Sequence, residues 1–379
     1  MRPSRLLPAL AAGLALWGQA PAPPAPAVRP DLKTDEGGLW ALADREEQRL
    51  RQSPLLVRDE ALRAYVQKLA ERLVGPGVPP VRTYVLEIPA FNANMAPNGM
   101  MQVWTGLLLR CENEAQLVAI LGHEIAHCTL KHGLEGLRDA KSRTAWATVM
   151  LAVPVAGPLV SLGTLAGGFA YSRTQERSAD ALGLELMAKA GYPPGEAAKI
   201  WANLAEEMQA EKEAGGEPAK RSRLFATHPP EAERQKALEE GAARLGAGGQ
   251  DAGAERYRAL VAPFRMAWME AELKHRRFGE TLALLARCLR ADPRDGLARY
   301  FEGEVYRIRN QEGDAAKALA AFEAAAGIPG APPEAHRALG RLHRKAGRKP
   351  EMRAAYARYL ELRPGAEDAD MIKSYLEEP

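Results

Sequence analysis

The sequence of 379 residues predicts a mainly α-helical protein with a small β-sheet. Three observations lead to this prediction. Apolar residues recur at helical spacing around positions 114–132, and helix-like pairs repeat after position 255 with a period of about 34 to 36 residues. The segment Met100 to Thr105 instead has the character of a strand. A chain of this length also predicts more than one domain.

The first helical segment carries a His-Glu-x-x-His motif formed by His123, Glu124 and His127. Residues four apart share one face of a helix, so the two imidazoles can bind one metal ion. Glu124 is placed to act as a general base on water at that metal, as in zinc-dependent peptidases. The motif therefore predicts a peptidase with one Zn²⁺ per chain. The alternative is a pair of histidines hydrogen-bonded inside a core.

A catalytic zinc site needs a third protein ligand. His132 lies nine residues after His123, which at about 100° per residue turns it to the opposite side of the helix. We therefore predict that His132 is a surface or helix-end residue. Glu176 and Asp180 fall four apart on one face of a second helix. Glu176 is the predicted third ligand, and Asp180 is predicted to accept the free N–H of a ligating histidine. The alternative is a solvated acidic face.

With these residues in place, the chain resembles the BepA-like and HtpX-like zinc metallopeptidases, gluzincins whose third ligand is a glutamate on a later helix. Matching segments lie at 91–108, 171–183 and 227–230, in the family's order. One departure is Asn98, which stands where the family often has glycine. The resemblance implies a gluzincin metallopeptidase domain with Glu176 as a ligand.

The resemblance also implies a role for His228, which lies between Thr227 and two prolines. His228 would stabilise the oxyanion that forms during attack, or bind the metal as a fourth ligand and hold the enzyme inactive. Alternatively, this segment is a capped helix start with proline in the first turn. Arg173 is a further candidate, either to polarise the substrate carbonyl or to pair with Asp180.

The segment Met100 to Thr105 is predicted to form an edge strand beside the metal. An extended substrate could then pair with the free backbone groups of this strand, so recognition would depend mostly on backbone. The alternative is a strand inside the sheet.

The amino-terminal residues predict export. Arg2 and Arg5 precede an apolar run from Leu6 to Trp17, so residues 1–20 are predicted to be a secretory signal peptide. Residues 21–34 are predicted to be a disordered, proline- and alanine-rich tether. The expected location is the periplasm or cell envelope. An uncleaved membrane anchor is the alternative.

A second segment bears on membrane contact. Ala145 to Ala170 contains no charged residue and is long enough to span a bilayer. Prolines and glycines interrupt it, so we predict two buried helices joined at Val153 to Pro158 beneath the metal site. Membrane insertion or peripheral contact with a bilayer is the alternative.

Composition and cysteine content exclude several classes of protein. The chain is 46% hydrophobic with a formal net charge of +3, which indicates an ordinary globular protein without a nucleic-acid-binding signature. Three cysteines are too few for a disulfide framework. A bridge between Cys111 and Cys128 is compatible with the sequence but not required by it, and Cys128 is predicted to lie in the core.

Glycine-rich composition predicts the domain boundaries. Residues 35–245 are predicted to form the metallopeptidase domain, 246–254 a linker and 255–379 a helical array. A second glycine-containing stretch, 211–223, is predicted to be a mobile loop at the active site.

The predicted array consists of three helix pairs, with prolines at 293, 329 and 364 ending successive units. Such stacked pairs form an α-solenoid with a concave surface that usually binds a protein. The positions that resemble tetratricopeptide repeats include Gly303, Tyr306, Leu339, Gly340 and Tyr356. A passive scaffold is the alternative.

The sequence therefore predicts an exported zinc metalloendopeptidase with a tetratricopeptide-like docking array. The family resemblance implies protein substrates, among them misfolded envelope proteins, and contact with outer-membrane assembly machinery through the repeats. Two alternatives remain: a chaperone or assembly adaptor whose metal site is mostly latent, and an integral membrane protease that uses Ala145 to Ala170.

Overall fold

The computed structural model describes residues 28–75, 77–142, 171–216, 232–246 and 249–377. These residues form helices and one three-stranded sheet, which confirms the predicted mainly α-helical fold class. The amino-terminal elements are α1 (Asp35–Arg51), α2 (Glu60–Glu71), β1 (Arg82–Leu86), β2 (Ala93–Met95), β3 (Met100–Trp104), α3 (Thr105–Arg110), α4 (Glu114–Thr129), α5 (His132–Ser142), α6 (Arg173–Lys189), α7 (Gly195–Glu213) and α8 (Ala232–Leu245).

The carboxy-terminal part of the chain is entirely helical where the structure describes it. Its elements are α9 (Ala254–Val261), a single 3₁₀ turn (Ala262–Phe264), α10 (Arg265–Leu273), α11 (Phe278–Ala291), α12 (Gly296–Arg309), α13 (Asp314–Ala326), α14 (Glu334–Lys345), α15 (Lys349–Leu362) and α16 (Ala369–Glu377).

The sheet has the strand order β1-β3-β2, with β1 parallel and β2 antiparallel to β3. All five residues of β3 are buried. The prediction that Met100 to Thr105 forms an edge strand is therefore wrong, because β3 is the central strand and Thr105 already belongs to α3. The edge that was expected to be free is covered by β2, which has only three residues and is too short to be recognised from the sequence.

The outer edge of β1 is also covered. The backbone N–H of Val57 donates to Val85 O at 2.9 Å, and that of Glu87 donates to Leu55 O at 2.8 Å. These bonds satisfy backbone groups that would otherwise present a pairing edge. Among the described residues, β2 is the outermost strand on the other side.

Helix α4 lies at the centre of the hydrophobic core that the amino-terminal elements form. Leu62, Val66 and Leu69 recur at helical spacing on α2 and are all buried, and they pack with Val85 and Val103 of the sheet. Burial of each such side chain stabilises the fold by about 1.5–3 kcal/mol. Helix α4 is buried along almost its whole length. It therefore forms a rigid support for the residues it carries.

The carboxy-terminal helices repeat one packing arrangement. A Cβ atom at Gly303 of α12 would lie 2.5 Å from Phe322 of α13, and one at Gly340 of α14 would lie 2.4 Å from Tyr356 of α15. In both pairs an aromatic ring of the second helix therefore rests where only glycine leaves room on the first. This repetition agrees with the helix pairs expected from the sequence, whereas their assignment to tetratricopeptide repeats remains a prediction.

Buried charges join the array to the rest of the chain. Arg110 of α3 donates to Glu207 of α7 and to Glu272 of α10, each at 2.7 Å. All three side chains are almost fully buried. Helix α8 ends at Leu245 and α9 begins at Ala254. The domain boundaries placed at 245, 246–254 and 255 remain predictions.

Two predicted flexible stretches are ordered in part. Glu211, at the start of the predicted mobile loop, lies in α7 and accepts hydrogen bonds from the backbone N–H groups of Gly279 and Glu280. Thr34, at the end of the predicted tether, caps α1 by accepting from Gly37 N. Glu211 is thus held by backbone groups almost 70 positions away, whereas Thr34 belongs to a local helix cap.

Other predictions fall on residues outside the described ranges. These include the signal peptide, most of the tether, and the segment Ala145 to Ala170. Within the described ranges, no helix combines the length and apolar character that a membrane span requires.

All three cysteines are free thiols, so Cys111 and Cys128 form no bridge. Burial raises the pKa of both thiols well above the usual range. Cys128 packs against the core, as predicted. Neither thiol has the exposed, electropositive setting of a reactive cysteine.

Candidate metal centre

Helix α4 carries the His-Glu-x-x-His motif at a fixed depth in the core. Its start is set by Asn113, whose side-chain oxygen accepts from Gln116 N at 2.9 Å. His123, Glu124 and His127 lie in its second half and are 3%, 3% and 2% exposed. The motif residues are therefore held by a buried helix and shielded from bulk water.

Three donor atoms meet at one point. His123 Nε2 and His127 Nε2 are 3.0 Å apart, and the Glu176 carboxylate oxygens lie 3.5 Å from the first and 3.6 Å from the second. Ligands at about 2.0 Å from a tetrahedral zinc are separated by about 3.3 Å. The structure thus brings together the three residues predicted as ligands, and their spacing fits a zinc ion.

Close packing of two helices positions Glu176. Helix α6 starts with a capping box between Ser172 and Gln175, so its first turn is well defined. A Cβ atom at Gly183 would lie only 3.1 Å from His123 N. Glycine at this position lets α6 approach α4 closely. Glu176, seven residues earlier and on the same face of α6, then faces the two histidines.

Asp180 lies one turn after Glu176 and contacts His123 from behind. Its Oδ1 is 2.9 Å from His123 Nδ1. Burial alone raises the pKa of this carboxyl, but hydrogen bonds from His123 and from Arg234 outweigh burial and hold the pKa at about 2. The ionised carboxylate accepts the Nδ1–H, which leaves Nε2 free to bind a metal.

Arg234 of α8 is a residue of this site that the sequence did not reveal. Its Nε and Nη2 donate to the two oxygens of Asp180, each at 2.7 Å, and its Nη1 lies 3.1 Å from Glu176 Oε2. The guanidinium also lies 4.0 Å above the Trp201 ring. Arg234 therefore orients Asp180 through two hydrogen bonds and forms an ion pair with Glu176. Arg173, the candidate to polarise the substrate carbonyl or to pair with Asp180, is exposed at the first position of α6, and its role stays a prediction.

His132 corrects a second expectation. It begins α5, as a helix-end residue would, but it is only 5% exposed and its Nδ1 lies 2.9 Å from His127 Nδ1. The rotation of 100° per residue does not apply here, because α4 ends at Thr129 and Lys131 has a left-handed φ of 57°. The chain reverses and returns His132 to the metal side.

The contacts of His132 fix the protonation of His127. Burial lowers the pKa of His132, so this imidazole is neutral. His132 Nε2 lies 3.3 Å from Ser178 Oγ, to which it can donate, and its Nδ1 then accepts the proton on His127 Nδ1. As at His123, this arrangement leaves Nε2 of His127 for the metal.

Tyr171 forms a wall of the site. Its ring stacks on that of His127, with the centroids 3.9 Å apart and the planes at 27°. Burial, reinforced by the charges of Glu124 and Glu176, raises the pKa of the phenol well above its usual range. A neutral Tyr171 thus packs against the ligand and restricts rotation of the imidazole.

The remaining predicted residue, His228, lies outside the described residues. Arg234 lies six positions after His228. This closeness to a predicted site residue is a weak sequence feature that could have pointed to Arg234. The predicted role of His228 stays a prediction.

Comparison with known proteins agrees with this geometry. Residues 57–242 match the model of peptidase family M48. The chain is 26% identical over 206 residues to the putative beta-barrel assembly-enhancing protease of Vibrio cholerae, covering 48% of this chain and 42% of that protein. It is 30% identical over 184 residues to the mitochondrial metalloendopeptidase OMA1 of Schizosaccharomyces pombe, covering 46% of this chain and 52% of that protein.

A third relative is the beta-barrel assembly-enhancing protease of Escherichia coli K12, 26% identical over 186 residues that cover 44% of this chain and 38% of that protein. The chain thus spans about half or less of the length of these relatives. The family match and the names of the relatives confirm the metallopeptidase resemblance predicted from the sequence.

Proposed function

Because residues 57–242 match the model of peptidase family M48, we propose that this chain is a zinc-dependent metalloendopeptidase that hydrolyses peptide bonds within protein substrates. The observation that carries the proposal is the convergence of His123, His127 and Glu176, whose ligand atoms lie within 4.8 Å of one another. Three nitrogen and oxygen ligands leave a fourth position open, as catalytic zinc sites require.

Glu124 is the proposed general base. Zinc bound by His123, His127 and Glu176 would polarise the scissile carbonyl and make water at the site more acidic. Glu124 accepts a proton from the attacking water and passes it to the leaving amine. Its position beside His123 on α4 and its 3% exposure support this role, because they place the carboxylate next to the metal ligands and away from bulk water.

Asp180, Arg234 and His132 are proposed as positioning residues. Asp180 and His132 each hold one ligating imidazole in the tautomer that presents Nε2. Arg234 compensates the charge of Asp180 with two hydrogen bonds. Such partners of ligands usually change metal affinity by about 10- to 100-fold when removed.

We further propose that the enzyme acts on envelope proteins after export. The basic and apolar amino-terminal residues support export, and two of the relatives are beta-barrel assembly-enhancing proteases. The helical array is proposed to dock the chain on protein partners, including an outer-membrane assembly machine. His228 is proposed to stabilise the oxyanion or to gate the metal. Recovery of the chain only from the cytosol in cell fractionation would contradict export.

The test is casein digestion by the purified chain, with and without a zinc chelator. Glu124→Gln removes the base but keeps the size of the side chain, so the rate should fall by about 10²- to 10⁴-fold. The chelator should abolish cleavage by the native chain. Glu185→Gln is the matched control, because Glu185 is exposed on α6 and pairs only with Lys189.

Equal, chelator-insensitive cleavage by native and Glu124→Gln proteins would overturn the proposal. If the native chain binds stoichiometric zinc and unfolded casein without cleaving it, the chain is instead an adaptor with a latent site.

A further inference from the structure

A large cavity lies apart from the metal centre. It lies between the peptidase region, meaning residues 57–242 that match family M48, and the helical array that begins with α9. Its volume is about 740 Å³, and its walls come from the α3–α4 connection, α9, α11 and the loop before α14. Ligand-binding cavities usually measure about 300–1,000 Å³. None of the metal-centre residues described above lines it.

The lining combines apolar surface with charged side chains of both signs. Six basic and four acidic side chains line the cavity. Between them lie apolar side chains from both regions of the chain, including Leu108, Val261, Met266, Leu284 and Leu297. Glu207 and Glu272 neutralise Arg110 from behind the lining, so a preference for a ligand with one negative and one apolar end depends on the basic side chains that keep donors.

Each acidic side chain of the lining accepts at least one hydrogen bond or pairs with a cation, and Asp292 accepts from the backbone N–H of Arg294 at 3.0 Å. Asp295 pairs with Arg265 at 2.6 Å, and Glu196 pairs with Lys199 at 2.5 Å. Glu112 accepts hydrogen bonds from two amide side chains. The remaining cations of the cavity are therefore not neutralised by these carboxylates.

Three arginines keep donors for a ligand. Arg287 is 3% exposed; its Nη2 donates to Glu207 at 2.5 Å, but its Nη1 is buried without a hydrogen-bond partner. A buried donor in this state is unfavourable unless something accepts from it. Arg258 and Arg294 are exposed and form no ion pair with any residue that the structure describes. The cavity thus offers one buried donor and two exposed cations.

We propose that this cavity binds the carboxyl terminus of a polypeptide whose last side chain is apolar. The terminal carboxylate accepts from Arg287 and is steered by Arg258 and Arg294. The last side chain lies against the apolar lining that includes Leu284 and Met266.

The distribution of polar groups favours a peptide over a fatty acid. Glu112 and Asp292 line the cavity and accept their hydrogen bonds through one carboxylate oxygen each, which leaves part of the capacity of both carboxylates for further donors. An alkyl chain would desolvate these groups without replacing their hydrogen bonds, which is costly. A peptide backbone carries an N–H and a C=O at almost every residue and can satisfy them.

The cavity is near enough to the metal centre for a polypeptide bound in it to reach the metal ligands. Asn113 lines the cavity and caps α4, and His123 follows ten residues later, about 15 Å along the helix. About five extended residues would cover that distance. Delivery of a bound chain to the metal centre rests on the proposed function, whereas binding in the cavity does not.

The test measures binding of a fluorescent hexapeptide that ends in phenylalanine with a free carboxylate. The full-length Glu124→Gln chain is used, so that the result does not depend on cleavage. The same peptide with an amidated terminus should bind at least about 10-fold more weakly, because it lacks the charge-assisted hydrogen bonds. Sodium phosphate and oleate are tested as competitors.

Arg287→Gln should remove most of the preference for the free acid, a change that a purely structural role would not produce. If Arg287→Gln fails to fold, the double variant Arg258→Gln/Arg294→Gln alters only the exposed cations and should reduce the preference several-fold. Arg290→Gln is the matched control, since Arg290 lies on α11, is exposed and does not line the cavity.

Equal binding of the acid and amide peptides to the Glu124→Gln chain would overturn the proposal. So would an unchanged preference in the arginine variants, or peptide displacement by phosphate at the same concentration as by the unlabelled acid peptide. Tight binding of oleate without peptide binding would identify a lipid carboxylate site instead. Failure of casein cleavage alone would refute the proposed function and leave this inference standing.

Discussion

The metal centre and the group of charges around Arg110 are both buried, and they differ in how their polar atoms are arranged. In the metal centre, His123, His127 and Glu176 direct one atom each towards a common point. In the cluster between the peptidase region and the array, Arg110 is enclosed by Glu207 and Glu272, and each carboxylate bonds a guanidinium at 2.5–2.7 Å. Burial and residue type are similar, but only the first arrangement can hold an ion.

The difference teaches that a buried polar cluster marks a ligand site only when its donors converge. Paired charges such as Arg110 and Glu272 satisfy each other, and their desolvation cost is offset by mutual attraction. Imidazole and carboxylate atoms that converge on one point can instead coordinate a cation. Arg234 combines both patterns, since it pairs with Asp180 while Asp180 orients a ligand.

The largest expected effect concerns the converging cluster. Glu176→Ala should lower zinc affinity by more than about 100-fold, because even partners of ligands contribute about 10- to 100-fold. Zinc per chain after dialysis is the measurement. Glu185→Ala on the same helix, where Glu185 is exposed, is the control. Stoichiometric zinc retained by Glu176→Ala would show that the third ligand lies elsewhere.

The paired cluster should respond through stability rather than metal content. Arg110→Met leaves Glu207 and Glu272 buried with fewer partners, so the free energy of unfolding should fall by about 3–5 kcal/mol. Urea unfolding followed by circular dichroism measures this change. Zinc content should not change.

The control for Arg110→Met is Arg290→Met, whose exposed pair with Glu206 should contribute at most about 1 kcal/mol. Adding Glu207→Gln and Glu272→Gln to Arg110→Met removes the stranded charges and should restore part of the stability. A loss below about 1 kcal/mol for Arg110→Met would mean that the cluster tolerates unpaired charge.

The smallest effect is a pH dependence at the edge of the paired cluster. Burial raises the pKa of Glu280 from 4.5 to about 7, although Arg277 lies 2.6 Å away and opposes this. The other charged groups that act on Glu280 are Arg110, Glu207 and Glu272. The folded chain therefore keeps a proton that the unfolded chain has released between these pH values. Stability should fall as pH rises through this window.

Glu280→Gln removes this dependence. Between pH 5 and pH 8, the stability of the native chain relative to Glu280→Gln should decrease by about 1–3 kcal/mol. Urea unfolding at each pH provides the measurement, and Glu270→Gln, at an exposed position of α10, controls for loss of a charge. A relative stability that rises with pH would contradict the assigned direction.

The sequence pattern was sufficient to predict the site residues that lie together on one helix. The pairs His123 and His127, and Glu176 and Asp180, each belong to one continuous helix in the structure. Their relative orientation follows from helical geometry alone. The mainly α-helical class with a small sheet was predictable for the same reason, since periodicity is a local property.

Predictions failed where the outcome depended on a chain reversal or on a distant partner. His132 was placed on the far side of α4 because the helix was extended past its end at Thr129. The segment Met100 to Thr105 was predicted at the sheet edge because β2, with three residues, carries too little pattern to be recognised.

By itself, the sequence determined which residues could act as ligands and as a base, and on which helices they lie. Only the tertiary structure decided that Glu176 meets the two histidines, that Arg234 supports Asp180, and that a cavity lined by Arg287 lies at the amino-terminal end of α4. The physical reason is range. Helical periodicity depends on residues three or four positions apart, whereas convergence, burial and charge pairing depend on segments that only the packed core brings together.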